Sequence, residues 1–400
     1  MKNGRDKKGF VNQIKIFEAF AGIGSQYLAL KNIASKKGWQ IKSVGYIEWF
    51  VNAIVAYELL HNNFEKLEKE TFKDIDNVCV SFDSKTPALN KSKLVNSNLG
   101  YLLNKSNVVS KNLFDISKVD YQSIPKNIDI FTYSFPCQDL SHQGKQKGMN
   151  QENKTRSSLL WEVKRLLSDM NKKLNISELP KYLLMENVVA IKNKKHIQEY
   201  KKWIEELENL NYVSYEYELD SKNFNVPQSR KRIFLLSIRK DFKNKINFEF
   251  DKNLNNKVNK NYLPLSTIVS NDLPYDDSLI KYNLSSFKQI NNTNKASLIN
   301  YTNFNSENYV YDVNFCGPTL TASGALSRIK LYFENKKIRY MTAEESFLYM
   351  GFNKQDYLKI KKHNILSDRQ LIFIMGNSIV VNVLEAIFST LKFEGDDKHE

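Results

Sequence analysis

Short apolar runs alternate with stretches of helical periodicity through the first half of this chain. Strands are predicted at residues 14–17, 44–47, 128–133 and 182–185, with helices at residues 27–36 and 51–60. Strands that alternate with helices in this way favour a parallel sheet covered by helices. The sequence therefore predicts the α/β class. Ligand sites in such sheets lie beyond the carboxyl ends of the strands, and each predicted strand ends there in polar or glycine residues.

Two regions interrupt this alternation. Residues 62–112 form a lysine- and asparagine-rich insertion with weak periodicity, and residues 241–335 become rich in Asn, Ser and Tyr. Helical patterns return at residues 344–350 and 379–391. We therefore predict two domains, the first formed by residues 1–240 with 336–400 and the second, smaller and irregular, by residues 241–335.

The chain carries a large excess of positive charge. Its 400 residues include 59 Lys and Arg against 44 Asp and Glu, which gives a net charge of +15. Such a surplus favours a polyanionic partner, because cations that neutralise phosphates release condensed counterions. A compositional bias toward lysine produces the same surplus. Charge alone therefore leaves both a nucleic-acid interface and a generic surface open.

The cysteines Cys79, Cys137 and Cys316 are too few and too scattered for a disulfide framework or a zinc cluster. We therefore expect no metal site and a reducing compartment. No apolar signal segment follows the basic N-terminus, and no stretch approaches the roughly 20 apolar residues that span a bilayer. A cytoplasmic protein without a membrane association is expected.

A glycine-containing loop follows the first predicted strand and opens a helix. It contains Phe20, Gly22 and Gly24. Glycines let the backbone approach a ligand, and a helix N-terminus offers free N–H groups. The third glycine of the dinucleotide fingerprint is absent, since Leu28 and Ala29 occupy the following turn, which disfavours a nicotinamide enzyme. A purely structural strand-to-helix turn remains an alternative for this motif alone.

Glu48 and Trp49 stand at the end of the second predicted strand. A carboxylate at this point can accept both hydroxyls of a ribose, and the adjacent indole can stack on adenine. The alternative is a solvated strand end without a ligand.

The third predicted strand ends in the polar sequence that contains Pro136 and Cys137. A proline before the cysteine presents the thiol stiffly in a loop, which favours a nucleophile. A thiol with an ordinary pKa of about 8.5 is mostly protonated at neutral pH, so nearby cations must favour the thiolate. An isolated cysteine is otherwise most often an inert buried residue.

Three further residues complete a candidate catalytic set. Glu186 stands at the end of the fourth predicted strand, where it can act as an acid. Arg230 and Arg232 follow a proline turn at residues 225–227, with a spacing that points both to one face of a strand. A surface salt bridge is the alternative for any one of them.

Taken together, these motifs resemble the DNA (cytosine-5) methyltransferase family. The match extends to the C-terminus, through Arg339 to Thr342 and then Gly376 to Val380, and covers nearly everything outside the two irregular regions. The resemblance implies a Rossmann-like, S-adenosylmethionine-dependent methyltransferase sheet whose two chain ends meet. It also implies that residues 241–335 are a target-recognition domain.

The resemblance implies S-adenosylmethionine as the methyl donor. The family usually has a second glycine where this chain has Ser25, a small departure that should not abolish binding. Asp115 is expected to bond the adenine amino group, and aromatic faces suit the sulfonium cation. The implied cofactor-binding residues are Phe20, Gly22, Gly24, Glu48, Trp49, Asp115, Ile116, Pro136 and Asn377.

The resemblance also implies the chemistry. The Cys137 thiolate adds to C6 of cytosine, which makes C5 nucleophilic enough to take a methyl group. Glu186 is expected to face N3 and the exocyclic amine, where charge develops. Of Arg230 and Arg232, one is expected to hold O2 of the base and the other a phosphate.

Duplex DNA is the implied partner, with the target cytosine rotated out of the stack. Gln143 is expected to fill the vacated space, while Lys145 and Lys147 meet phosphate as their glycine-containing loop closes. In the second domain, the candidates are Phe304 as an apolar wedge, with Ser323 and Arg328 for contacts to bases or phosphates.

The overall pattern looks most like the CpG-specific methyltransferases of mollicutes, so a CG target is expected. A cognate restriction endonuclease is a further candidate partner, and a monomer is expected from the family. Two alternatives stay open, which are methylation of RNA by a related fold and a catalytically silent, sequence-specific DNA-binding protein.

Overall fold

A computed structural model describes residues 13–136, 159–246, 248–254 and 262–394. These residues form two sheets, each with its own packing. The predicted residues Cys137, Gln143, Lys145 and Lys147 lie outside the described ranges.

The first sheet has six strands in the order β2-β1-β3-β4-β6-β5. Its strands are β1 Gln13–Ala19, β2 Gln40–Ile47, β3 Ile130–Tyr133, β4 Tyr182–Val188, β5 Tyr212–Asp220 and β6 Lys231–Arg239. The strands β1 to β4 are mutually parallel, while β6 runs antiparallel to both β4 and β5. All four strands predicted from the sequence are present, and the α/β class is confirmed.

Eleven α-helices lie in the described residues. They are α1 Ser25–Lys37, α2 Val51–His61, α3 Asn98–Val108, α4 Leu160–Lys173, α5 Ile197–Asn209, α6 Lys240–Ile246, α7 Asp277–Ile280, α8 Ala343–Tyr349, α9 Lys354–Lys361, α10 Asp368–Asn377 and α11 Val381–Ser389. The insertion at residues 62–112 contains α3, which packs on α2 and was not predicted. The predicted helix at residues 379–391 is α11, whereas α9 and α10 were not predicted.

Helices cover both faces of the first sheet. Alternate side chains of each strand point to opposite faces, so both sets are buried against helices. In β4, Tyr182 and Leu184 belong to one buried cluster, which includes residues of α1, α2 and the C-terminal helices. Leu183 and Met185 belong to the other, which includes residues of α4 and α5. A strand buried on both faces reads as a continuous apolar run, which is why β4 was visible in the sequence.

The second sheet has five short strands in the order β11-β10-β9-β8-β7. They are β7 Lys288–Ile290, β8 Thr293–Ser297, β9 Tyr309–Asp312, β10 Lys330–Phe333 and β11 Lys337–Tyr340. Only β9 and β10 pair in parallel among these strands. This sheet lies within a region that the sequence predicted to be irregular, and β11 extends it beyond residue 335. Phe248 and Phe250 also belong to the region predicted to be irregular, but their rings pack on Tyr215 of the first sheet.

The segment Asp368–Ser389 is long and apolar enough to cross a membrane by length and composition alone. This differs from the expectation that no stretch would pass such a test. The segment is two helices, α10 and α11, and 67% of its most apolar window is buried inside the protein. Its hydropathy therefore reflects packing in the core.

Candidate active site

The carboxyl ends of four parallel strands meet in register at one edge of the first sheet. Ala19 pairs with both Ile47 and Tyr133, and Tyr133 in turn pairs with Met185. The residues that follow these strand positions are Phe20, Glu48, Ser134 and Glu186. Ser134 lies two residues before the predicted site residue Pro136, and the other three are themselves predicted site residues.

A cavity of about 1080 Å³ opens at this edge. Twelve of the predicted site residues line it, including Asn377 at the end of α10 and Ser323 from the segment before β10. They are Phe20, Gly22, Glu48, Trp49, Asp115, Ile116, Pro136, Glu186, Arg230, Arg232, Ser323 and Asn377. The structure therefore brings these twelve predicted residues together in one cavity.

The glycine-containing loop reaches the cavity through an unusual backbone. Phe20, Gly22 and Gly24 all have positive φ, at 57°, 57° and 77°. Gly24 does not line the cavity, because it faces α2, and a Cβ atom there would lie 2.4 Å from Nε2 of His61. A Cβ atom on Gly22 would meet no atom within 4 Å. Gly24 thus serves packing, and Gly22 faces the open space.

Glu48 is held by backbone N–H groups on both carboxylate oxygens. Gly22 N–H donates to Oε2 at 2.9 Å, and Phe50 N–H donates to Oε1 at 2.8 Å. Burial raises the pKa of Glu48, while these backbone donors oppose the rise. Each oxygen keeps a further lone pair, so the carboxylate can accept two more hydrogen bonds from a ligand.

Asn112 joins the Glu48 strand end to the Asp115 loop, a connection that the sequence did not reveal. Its Oδ1 accepts from the N–H groups of Glu48 and Phe114, each at 3.0 Å, and its Nδ2 donates to the Glu48 carbonyl at 3.0 Å. The side chain is almost completely buried. Within an asparagine-rich insertion, nothing in the sequence distinguishes this residue from its neighbours.

Asp115 begins a short 3₁₀ turn on the same wall of the cavity. Its Oδ1 accepts from the N–H and the Oγ–H of Ser117, at 3.0 and 2.8 Å. The carboxylate is therefore oriented by its own turn, and its other oxygen can accept from a donor such as an adenine amino group.

Glu186 forms an ion pair with Arg232 at the opposite side of the cavity. The distance from Nε of Arg232 to Oε1 of Glu186 is 3.1 Å. Burial raises the pKa of the Glu186 carboxyl, and the charges of Arg232 and then Arg230 oppose this rise. A raised pKa favours the protonated form of the carboxyl, which is the direction that a general acid requires.

Arg230 precedes β6 and has a different set of contacts from Arg232. Its guanidinium donates to the carbonyls of Leu320, Gly376 and Ser378, at 2.6, 3.2 and 3.0 Å. Its side chain is 5% exposed. Arg230 and Arg232 both line the cavity, but Arg230 ties together segments that lie 90 to 148 positions away along the chain.

Two hydrogen bonds fix the segment that leads toward Cys137. Gln26 Nε2 donates to Oγ of Ser134, and Asn187 Nδ2 donates to the carbonyl of Phe135, each at 3.3 Å. Pro136, the last described residue before the gap, lines the cavity. The chain therefore enters the undescribed segment from the wall of the site.

The two cysteines within the described residues are poor nucleophiles. Burial raises the pKa of Cys316 to about 12, and the thiol is almost fully enclosed. Burial and the neighbouring Asp115 raise the pKa of Cys79. Both thiols therefore stay protonated at neutral pH.

The candidate DNA-binding residues of the second region lie in different settings. Ser323 lines the cavity, whereas Phe304 and Arg328 do not. Phe304 is 72% exposed on the loop between β8 and β9. The guanidinium carbon of Arg328 lies 4.5 Å from the ring centre of Tyr340. In the part of the chain that the structure describes, no three His, Cys, Asp or Glu side chains group as metal ligands.

Comparisons with known proteins show the family of this chain. Residues 99–392 match the model of the family described as C-5 cytosine-specific DNA methylase. The orphan methyltransferase M.SssI of Spiroplasma monobiae is 43% identical, over 95% of this chain and 97% of its own length. The type II methyltransferase M2.ScrFI of Lactococcus lactis subsp. cremoris is 32% identical, over 94% of this chain and 99% of its own length.

Solved structures with low sequence identity share the fold. The S. pombe Dnmt2 methyltransferase superposes with a TM-score of 0.58 at 17% identity, covering 94% of this chain and 97% of its own. The Entamoeba histolytica methyltransferase EhMeth gives a TM-score of 0.61 at 16% identity, covering 97% of this chain and all of its own. The predicted methyltransferase fold and family resemblance are thus confirmed. The chain belongs to the C-5 cytosine-specific DNA methylase family and is a DNA cytosine-5 methyltransferase.

Proposed function

We propose that this enzyme methylates C5 of a cytosine flipped out of duplex DNA, in CG sites, through a covalent bond between Cys137 and C6 of the base. The observation that carries the proposal is the single cavity in which the Glu186–Arg232 pair, Pro136 and Glu48 share one sheet edge. An acid for the base and a carboxylate for a ribose thus face the same space, next to the segment that continues to Cys137.

The residues at this edge fit S-adenosylmethionine. Glu48 has lone pairs free for two ribose hydroxyls, Trp49 offers an aromatic face, and Asp115 can accept from an adenine amino group. When bound, the cofactor supplies a methyl group on a sulfonium, whose positive charge suits the aromatic faces of Phe20 and Trp49. Asn377 closes the wall from the C-terminal side.

The proposed chemistry assigns one task to each catalytic group. The Cys137 thiolate forms a bond to C6, and the electron pair of the C5–C6 double bond moves toward N3. Glu186 holds a proton at N3, so that charge does not build up there, and C5 becomes nucleophilic. After C5 has gained its methyl group, loss of the C5 proton to a base expels the Cys137 thiolate and restores the aromatic ring.

Of the two arginines, we assign Arg232 to the base. Its guanidinium is already directed at Glu186, so the same side chain can orient the acid and reach O2. Arg230 donates to three backbone carbonyls, which suits a role in holding the cavity together.

The proposed reader of the DNA sequence is the second region, predicted as a target-recognition domain at residues 241–335. Ser323 on the cavity wall, the exposed Phe304 and Arg328 are its candidate contacts. A CG target follows from the resemblance of the sequence, with Gln143, Lys145 and Lys147 proposed for the flipping loop. A restriction endonuclease partner, a monomeric state and a cytoplasmic location stay predictions.

The decisive test is base-resolution mapping of 5-methylcytosine on unmethylated duplex DNA after incubation with the enzyme and S-adenosylmethionine. We expect methylation at every CG and nowhere else. A different consensus would refute the CG assignment while leaving the chemistry intact. Incorporation of labelled methyl into tRNA but not duplex DNA would refute the DNA substrate.

Two variants test the proposed site directly. Cys137→Ala should abolish methyl transfer and keep DNA affinity, so substantial residual turnover would remove Cys137 from its role. Glu48→Ala should weaken the binding of S-adenosylhomocysteine by about tenfold or more, as loss of hydrogen bonds to a charged group implies, and should change DNA affinity little. Calorimetry with each ligand separates the two effects.

A further inference from the structure

The loop that carries Phe304 is ordered by its own hydrogen bonds. Thr302 N–H donates to Oδ1 of Asn308 at 3.1 Å, and Nδ2 of Asn308 donates back to the Thr302 carbonyl at 3.0 Å. Glu307 N–H donates to the Phe304 carbonyl at 2.8 Å. The loop is thus a closed turn, and it presents an exposed aromatic ring at its tip.

One lysine from the neighbouring strand contacts both ends of this turn. Lys330, at the start of β10, is only 5% exposed. Its Nζ donates to the carbonyl of Glu307 at 2.6 Å, and it lies 4.8 Å from the ring centre of Tyr301. The ring centre of Tyr340 is 5.5 Å away on another side, and the hydroxyls of Tyr301 and Tyr340 are 3.1 Å apart. We call Lys330, Tyr301 and Tyr340 the lysine cage.

Burial of the Lys330 ammonium between two tyrosine rings has a desolvation cost. Burial lowers the pKa of Lys330 to about 8, with the charge of Arg328 acting in the same direction and Glu307 opposing it. An apolar side chain would pack between two tyrosine rings without that cost. An apolar side chain lacks the donor that bonds the Glu307 carbonyl, and this bond joins β10 to the Phe304 turn.

We propose that Lys330 is a positioning residue, which fixes the Phe304 turn so that the ring enters the base stack of duplex DNA at the target step. This inference rests on the proposed function. The lysine cage anchors the turn at residues 301 and 307, on either side of Phe304. The Phe304 ring therefore projects from a turn whose two ends are held. A wedge that is held in place before binding loses less conformational freedom when the DNA arrives.

The test is a double-mutant cycle between Lys330→Met and Phe304→Ala. Met keeps the alkyl length and loses the cation and the donor. Lys295→Met is the matched control, because Lys295 is also a strand lysine over a tyrosine ring, 3.6 Å from the centre of Tyr309, but that ring belongs to β9 and stands outside residues 301–307. The readouts are KM for a short CG duplex, kcat, and fluorescence of 2-aminopurine at the target base as a report of flipping.

We expect Lys330→Met to raise KM for DNA about tenfold and to reduce the fluorescence gain, with no further loss when Phe304 is already Ala, since coupled residues are not additive. The affinity for S-adenosylhomocysteine should stay unchanged, and this measurement also shows that the variant is folded. Lys295→Met should behave like the wild type.

Multiplicative losses in the double variant, or wild-type kinetics for Lys330→Met, would overturn the inference. A wild-type enzyme that binds S-adenosylhomocysteine but methylates no duplex would instead refute the proposed function. The two failures are therefore distinguishable.

Discussion

Nε of Arg232 lies 3.1 Å from Oε1 of Glu186, and the register of two antiparallel strands sets this distance. Glu186 pairs with Phe234, and Arg232 pairs with Val188, so the two charged residues are diagonal neighbours on one face of the sheet. The pair is only slightly exposed, since the exposed fraction of the side chain is 13% for Glu186 and 16% for Arg232. The proton affinity of the acid therefore depends on this particular arginine.

Replacement of Arg232 should change the pH dependence of catalysis. Since Arg232 lowers the pKa of Glu186 against the effect of burial, its removal raises that pKa further. We expect Arg232→Gln to lower kcat and to move the alkaline limb of the kcat profile to higher pH, because Glu186 then keeps its proton longer. A limb that stays in place or moves to lower pH would contradict this assignment. Glu186→Gln is the control, and it should lack the limb.

Arg230 should matter more for stability than Arg232. Its loss leaves three buried carbonyls without this donor, on segments far apart along the chain that the guanidinium joins. We expect Arg230→Met to lower the free energy of unfolding by about 3 kcal/mol, as for other buried charged groups. Arg232→Met should cost clearly less. Urea denaturation measures both, and equal losses would show that the carbonyl contacts of Arg230 contribute little.

The two glycines of the cofactor loop should respond differently to the same substitution. Both have positive φ, so Ala costs about 1–2 kcal/mol at either site from the backbone alone. At Gly24 the added Cβ also meets His61 at 2.4 Å, and it displaces the ring that contacts the Ile23 carbonyl. We expect Gly24→Ala to lower the thermal midpoint more than Gly22→Ala. Calorimetry should show the larger loss of S-adenosylhomocysteine affinity for Gly22→Ala, which faces the cavity.

The strands of the catalytic sheet were predictable because each is a run of apolar residues that stands out from its surroundings. The rule that ligand sites lie beyond the carboxyl ends of parallel strands also predicted Glu48 and Glu186 as residues of one edge. The second sheet was not predictable in this way. Its strands β7 and β8 consist mostly of Lys, Gln, Asn, Thr and Ser, so they carry no apolar alternation. Their pairing depends on tertiary contacts that a local pattern does not encode.

Long-range polar contacts were equally invisible. The partners of Arg230 are backbone carbonyls far along the chain, and a carbonyl has no signature in a sequence. Gly24 belongs to a motif predicted to bind a cofactor, but its position against His61 of α2 shows that a motif residue can serve packing. Sequence reasoning predicted the residue types of the site, and the structure separates those that line the cavity from those that pack behind it.

Behind the cofactor loop, Glu18 makes the stability of the enzyme depend on pH. This residue of β1 is completely buried, and burial raises its pKa to about 8 from an ordinary value of 4.5, although Tyr27 N–H and Tyr57 O–H donate to it. The folded protein therefore keeps a proton that the unfolded chain has released. The stability that this group contributes is fully present below pH 4.5 and is lost as the pH rises toward 8.

Below pH 6.5, the ordinary pKa of histidine, His61 makes the fold more stable as the pH rises, because burial lowers its pKa. The stabilities of the wild type and Glu18→Gln are therefore best compared above pH 6.5. Between about pH 6.5 and about pH 8, the wild type should lose up to about 2 kcal/mol more than Glu18→Gln, since one uncompensated proton is worth about 1.4 kcal/mol per pH unit. Urea unfolding at the two pH values measures this difference. Parallel losses in both proteins would mean that Glu18 is ionised in the fold and that its neighbours stabilise the charge.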